Sequence, residues 1–290
     1  MKRTFGLFAF SLLACGLALA ATKELRLSNW RAATTKKNYL GFDRNIYPGD
    51  GALAILRKTF SFASYWLSPP PGEKANTWSG KRELLKKNGF GFVVLYRGRG
   101  ENDLKSVEDA SAKGETDAQA TVEAAQREGF GPETIVYLDI EEGGRLSANY
   151  HAYIIGWLWH LTPSLRGGFY CSGIPVQEGK GKSITSCQDI YNDLWRRSRE
   201  FSIWSYNDAC PPSPGCTFAE SPPSPKAVDR DCETCTSIWQ YTQSPRRKEF
   251  AARCPGYARD NNCYAPSDTA HQWFLDLDSA TSADPSGGAK

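Results

Sequence analysis

Five times in succession a short apolar run is followed by a stretch of helical composition, and that alternation constrains the chain to a parallel-sheet architecture. Runs at 39–43, 60–66, 90–96, 134–141 and 167–171 are followed by helical stretches at 52–58, 78–87, 117–128, 147–161 and 187–199. Parallel neighbours need a long crossover to bring the chain back to the same end, and a helix supplies it. Residues 90–96 are continuously apolar, the pattern of a strand covered on both faces. In the fourth helix Tyr150, Ile154, Leu158 and Leu161 recur at helical spacing. The rhythm then changes: strands at 201–206, 237–241 and 273–277 are separated by Pro- and Cys-rich loops. Five strand–helix units followed by three strands predict an α/β, TIM-like (β/α) barrel with a disulfide-braced C-terminal half.

The fourth run ends in Tyr137-Leu-Asp139-Ile-Glu141. Side chains alternate across a strand, so Asp139 and Glu141 share one face, at the C-terminal end where parallel α/β folds build their sites. Two carboxyls held close push their pKa values apart, so one keeps a proton while the other ionises. Glycosidic bond cleavage needs such a pair. An acidic pair of this kind also serves as a helix cap or a solvated loop in many α/β proteins.

Lys2 and Arg3, the apolar residues 4–19 and the small-x-small site Ala18-Leu-Ala20 read as a signal peptide over 1–20. This predicts a secreted or periplasmic protein without a transmembrane segment. Leu12-Leu-Ala-Cys15 offers a competing lipoprotein signal, although residues 16–21 stay apolar where a processed lipoprotein turns polar. Residues 21–38 read as a polar lead-in, 39–278 as the barrel, and 279–290, rich in Ser, Gly and Ala, as a disordered tail. Of the 9 cysteines, the eight beyond Cys15 lie between Cys171 and Cys263. An even number in an exported chain predicts pairing throughout, including a short Cys210–Cys216 bridge across Pro- and Gly-rich sequence. Cys232-Glu-Thr-Cys235 lacks the second tight pair of a zinc ribbon.

A formal net charge of +3 leaves no footprint for nucleic acid. There is no Gly-x-Ser-x-Gly elbow. Gly-Lys-Ser at 181–183 lacks the earlier glycine of a phosphate loop. His151 and His160 stand nine apart, without the i, i+4 spacing of helical zinc ligands. No metal and no cofactor is expected, and the chain is expected to act as a monomer.

Gly41-Phe-Asp43, Tyr137-Leu-Asp-Ile-Glu141, Gly168-Phe-Tyr170, Ile238-Trp-Gln-Tyr241 and Phe274-Leu-Asp276 occur in order at successive strands. Together they resemble the glycoside hydrolase family 25 muramidases, and more closely their relatives, the bacterial glycoside-hydrolase-like domains of uncertain activity. The resemblance implies a five-helix, eight-stranded barrel acting on peptidoglycan or a related polysaccharide. It implies Glu141 as general acid, Asp139 as its partner and Asp43 as a further acid at the mouth. Tyr170, Trp204, Gln240, Tyr241 and Asp276 would line the sugar cleft. One departure stands out. Where the muramidases carry a further acid, the third strand ends in Tyr96-Arg97-Gly98-Arg99. Tyr96 and Arg97 are therefore expected at the cleft, and both arginines, Arg97 and Arg99, at the barrel mouth, lowering carboxyl pKa values or binding an acidic glycan. A non-catalytic glycan-binding barrel is the alternative reading.

Overall fold

The computed structural model describes residues 37–197, 200–207, 222–225, 236–245, 262 and 269–290. Asn38–Lys290 forms one compact unit. Within it eight strands close a barrel: β1 (Tyr39–Asp43), β2 (Phe62–Trp66), β3 (Gly91–Arg97), β4 (Ile135–Asp139), β5 (Arg166–Ser172), β8 (Ser202–Tyr206), β9 (Thr236–Thr242) and β10 (Asp276–Ala280). Their order around the barrel is β1-β10-β9-β8-β5-β4-β3-β2. The helices are α1 (Leu53–Leu56), α2 (Arg82–Lys87), α3 (Val107–Arg127), α4 (Ala148–Leu161) and α5 (Ser186–Trp195). The TIM-like (β/α) barrel is thus the fold of this chain.

The structure corrects the sequence reading at four places. The eighth strand begins three residues later than expected and runs antiparallel to both neighbours, with Asp43 opposite Asp276 and Gly41 opposite Asp278. A short 3-10 helix, Thr269–Trp273, precedes β10, which starts at the mouth where β9 finishes. A short hairpin, β6 (Val176–Gly179) with β7 (Lys182–Ile184), follows β5 and was not foreseen. Helix α3 begins ten residues earlier than read, with Ser106 as its cap accepting from Asp109 N at 3.2 Å.

The fourth correction concerns the tail, which composition suggested would be disordered. Residues 279 and 280 complete β10, and the rest folds beneath the barrel. Ser286 is fully buried. Ser286 N donates to Phe92 O at 2.9 Å, Val94 N donates to Ser286 Oγ at 2.9 Å, and Ile135 N donates to Ser286 O at 2.9 Å. The Asp284 carboxylate accepts from Phe92 N at 2.9 Å. Polar side chains aimed at open backbone groups order a segment that apolar burial alone would not.

Cys171 at the end of β5 is bonded to Cys187 in the first turn of α5, with Cα atoms 5.2 Å apart. The other cysteines, with the Cys210–Cys216 expectation, the signal peptide and most of the lead-in, lie outside the described residues. Helices α3 and α4 approach closely. A Cβ on Gly114 would meet Tyr153 O at 2.3 Å, and one on Gly156 would meet Ser111 O at 2.6 Å. Among the described residues no helix is long and apolar enough to cross a membrane.

Candidate active site

Alternation along the strands decides which side chains reach the C-terminal mouth. Asp43 ends β1, Asp139 ends β4, and Glu141 follows in the loop, exposed. Asp43 and Asp139 are buried, at 7% and 4% exposure. Burial, then the charges of Glu141 and Asp43, raise the Asp139 carboxyl well above the usual range, and Arg97 opposes the shift weakly. Asp43 is pushed up to about 6, chiefly by burial, with Glu141 adding to it. The three acids therefore act on one another at a single mouth.

Asp276, first in β10, faces Asp43 across the antiparallel ladder and accepts from Ser244 N at 2.7 Å. Tyr170 is 9% exposed among these acids. Burial, then Glu141, Asp139, Asp43 and Asp276, hold its hydroxyl protonated far above the ordinary range. That hydroxyl donates to Gln240 Oε1 at 2.9 Å, and Gln240 Nε2 donates to Asp43 Oδ2 at 3.3 Å. Tyrosine, amide and carboxylate thus form one relay across three strands.

Asp278 was missed. It lies two residues beyond Asp276 on the same face, 1% exposed, and accepts from Trp204 Nε1 at 3.0 Å. Burial, then Asp43 and Asp276, raise its carboxyl well above the ordinary range. The Asp-Leu-Asp alternation is the available signal, but a strand ending at 277 leaves Asp278 outside it. Trp66, last in β2 and 3% exposed, and Tyr206, last in β8 and 6% exposed, share this face and were also missed.

Three expected lining residues stand elsewhere. Trp204 has no exposed surface and lies edge-on to Tyr170, with ring centroids 4.9 Å apart. It is floor beneath the acids, not a face for a sugar to stack on. Tyr241 follows the inward-facing Gln240, so alternation turns it outward, where it packs edge-on against Trp239 at 6.1 Å. Tyr96 precedes Arg97 and is likewise turned outward, under the influence of Asp117 and Arg99. Consecutive strand residues cannot both face the mouth.

Of the two arginines only Arg97 belongs to the rim. It pairs in register with Asp139, is exposed, and its backbone N–H donates to Ser68 Oγ at 2.9 Å. Arg99 is locked behind the sheet by two bonds of 2.7 Å to Asp117, which also accepts from Tyr153 Oη at 2.8 Å. Gly98 between them lets β3 touch β4, since a Cβ there would meet Asp139 O at 2.2 Å.

The loop carrying Glu141 is clamped at several points. Ile140 N donates to Tyr170 O at 3.0 Å, Glu142 Oε1 accepts from Glu101 N at 2.8 Å, and Leu146 N donates to Asp189 Oδ2 at 2.9 Å. Asp189 on α5 is held in turn by His151 Nε2 at 2.9 Å and by Arg145 at 3.0 Å. Among the described residues no His, Cys, Asp and Glu cluster of three or more is arranged to hold a metal ion.

A family model described as Rv2525c-like, glycoside hydrolase-like domain matches residues 68–211, the stretch that contains Asp139, Glu141 and Arg97. Among solved structures, an uncharacterized protein of B. stearothermophilus is similar at 18% identity and TM-score 0.51, over 83% of this chain and 95% of that one. The Tat-secreted protein Rv2525c of Mycobacterium tuberculosis is similar at 14% identity and TM-score 0.47, over 84% and 95%. A family GH25 lysozyme from Aspergillus fumigatus is similar at 12% identity and TM-score 0.41, over 87% and 100%. No curated protein matches this chain in sequence. Over residues 68–211 the chain carries an Rv2525c-like, glycoside hydrolase-like domain, of the kind its strand motifs resemble.

Proposed function

We propose that the protein, exported by residues 1–20, cleaves a glycosidic bond in peptidoglycan or a related polysaccharide. The observation that carries this reading is the group of mutually acting carboxyls at the mouth, two of them buried and raised above the ordinary carboxylate range. Burial and the neighbouring acids raise the Asp139 carboxyl, which is hydrogen-bonded to Glu141, so the two share a proton that Glu141, exposed two residues on, delivers to a glycosidic oxygen. Glu141 serves as general acid. Asp43, ionised above about 6, opposes the positive charge that develops on the sugar ring. Tyr170 and Gln240 hold Asp43 in place for that role.

The test measures release of reducing ends from peptidoglycan and a panel of polysaccharides by wild type and Glu141→Gln. Loss of a positioned acid lowers the rate by about 10² to 10⁴. A Glu141→Gln protein as fast as wild type removes the assignment. The second reading, a glycan-binding barrel without turnover, is favoured by Arg97, whose charge beside the pair works against a protonated acid. It prevails if wild type binds glycan yet releases nothing at either acidic or neutral pH.

A further inference from the structure

We propose that Arg97 is a specificity-determining residue of this cleft, reading a carboxylate carried by the glycan; this rests on the glycan reading of the mouth. Register sets Arg97 opposite Asp139, so its side chain leaves the strand on the lumen face at the rim. It is exposed, and its guanidinium enters none of the hydrogen bonds or ion pairs of the described residues. Arg99, two positions along the chain, shows the contrasting case of a guanidinium already committed to a carboxylate.

A cation beside buried acids could serve merely as their counter-ion. Its effect on Asp139 ranks below those of burial, Glu141 and Asp43, however, and it forms no contact pair with Asp139. The fork is left available to a ligand. One rung lower on β2, Trp66 shares the lumen face, and its indole N–H is buried with no partner among the described residues. This end of the mouth therefore offers donors, whereas β1, β4 and β10 offer acids. A guanidinium binds a carboxylate through two parallel N–H bonds, a geometry that neutral sugar hydroxyls cannot match. Sugar-borne carboxylates come from two sources, a lactyl ether on an amino sugar or a uronic acid.

Both sources are tested by calorimetric titration of the full chain with oligosaccharides of equal length. One set alternates N-acetylglucosamine with N-acetylmuramic acid, and the other is an oligogalacturonate. Each is compared with its own carboxyl-reduced form. Wild type binds the carboxylate form of one set about ten- to a hundredfold more tightly than the reduced form, the range of a hydrogen bond to a charged partner. Arg97→Gln brings that ratio to about one, and Arg97→Lys, which keeps the charge without the fork, restores only part of it. A ratio of one in wild type, or a ratio that survives Arg97→Gln, overturns the proposal while leaving the glycan reading intact. Failure of wild type to bind any of the four sugars overturns both.

Discussion

Asp43 carries a pH signature that a surface aspartate would lack. Its carboxyl titrates at about 6 in the fold against an ordinary 3.8. Below pH 4 both folded and unfolded chains hold the proton, and the group adds nothing to pH dependence. Between about 4 and 6 the unfolded chain loses the proton first, so stability falls as pH rises, by up to ~3 kcal/mol, and is level above that window. Asp43→Asn removes this component. Denaturant unfolding of the variant between pH 4 and 7 is expected to show a decline smaller by that amount, and an unchanged slope would refute the burial account. The same arithmetic of faces explains what could be read here from sequence. Asp139 and Glu141 were legible because alternation needs only their spacing. Arg97 and Gln240 were legible too, but Tyr96 and Tyr241 beside them were assigned to the cleft by the motif that named their neighbours. Asp278 was lost through three residues of strand register.

Helices α3 and α4 show how a contact can rest on what is missing from a side chain. Gly114 and Gly156 bring the two backbones within reach of each other, and a methyl at 114 would strike Tyr153 O and Trp157 N. Alanine favours an isolated helix over glycine, yet Gly114→Ala is expected to destabilise this one by about 1–3 kcal/mol, the cost of overpacking. Thermal unfolding checks it, and a gain in stability would show that the helices can separate without loss. The start of α3 was illegible because 107–116 is charged and polar, with Gly114 where a helix former would be expected. The Ser106-Val-Glu-Asp109 pattern was the available cue, with a serine cap and acids in the first turn. Ser147, by contrast, stands at the start that was read for α4 and accepts from Tyr150 N at 3.1 Å.

At the scale of the molecule the barrel is finished from below by its own C-terminal segment. Removing residues 282–290 leaves Phe92 N, Val94 N and Ile135 N without the partners supplied by Asp284 and Ser286. At about 1 kcal/mol for each bond, the deletion is expected to cost ~3 kcal/mol and lower the melting midpoint by roughly 10 °C. An unchanged midpoint would mean the segment only rests on the sheet. Composition could not reveal this role, since the segment contributes few apolar side chains and works through its hydroxyl, carboxylate and backbone groups. The alternation of strands and helices did reveal the barrel, because each crossover repeats the same local pattern. The direction of β10 has no such repeated local pattern behind it.

The pairing of β1 with β10 has a consequence in time. The first strand of the barrel is synthesised before all the others, and the strand that closes it after all the others. Until then β1 and β9 are open edges, and the contact that removes them spans nearly the whole chain, the kind of contact that forms slowly. A growing chain therefore cannot complete this sheet piecemeal. The barrel closes only once β10 has left the ribosome.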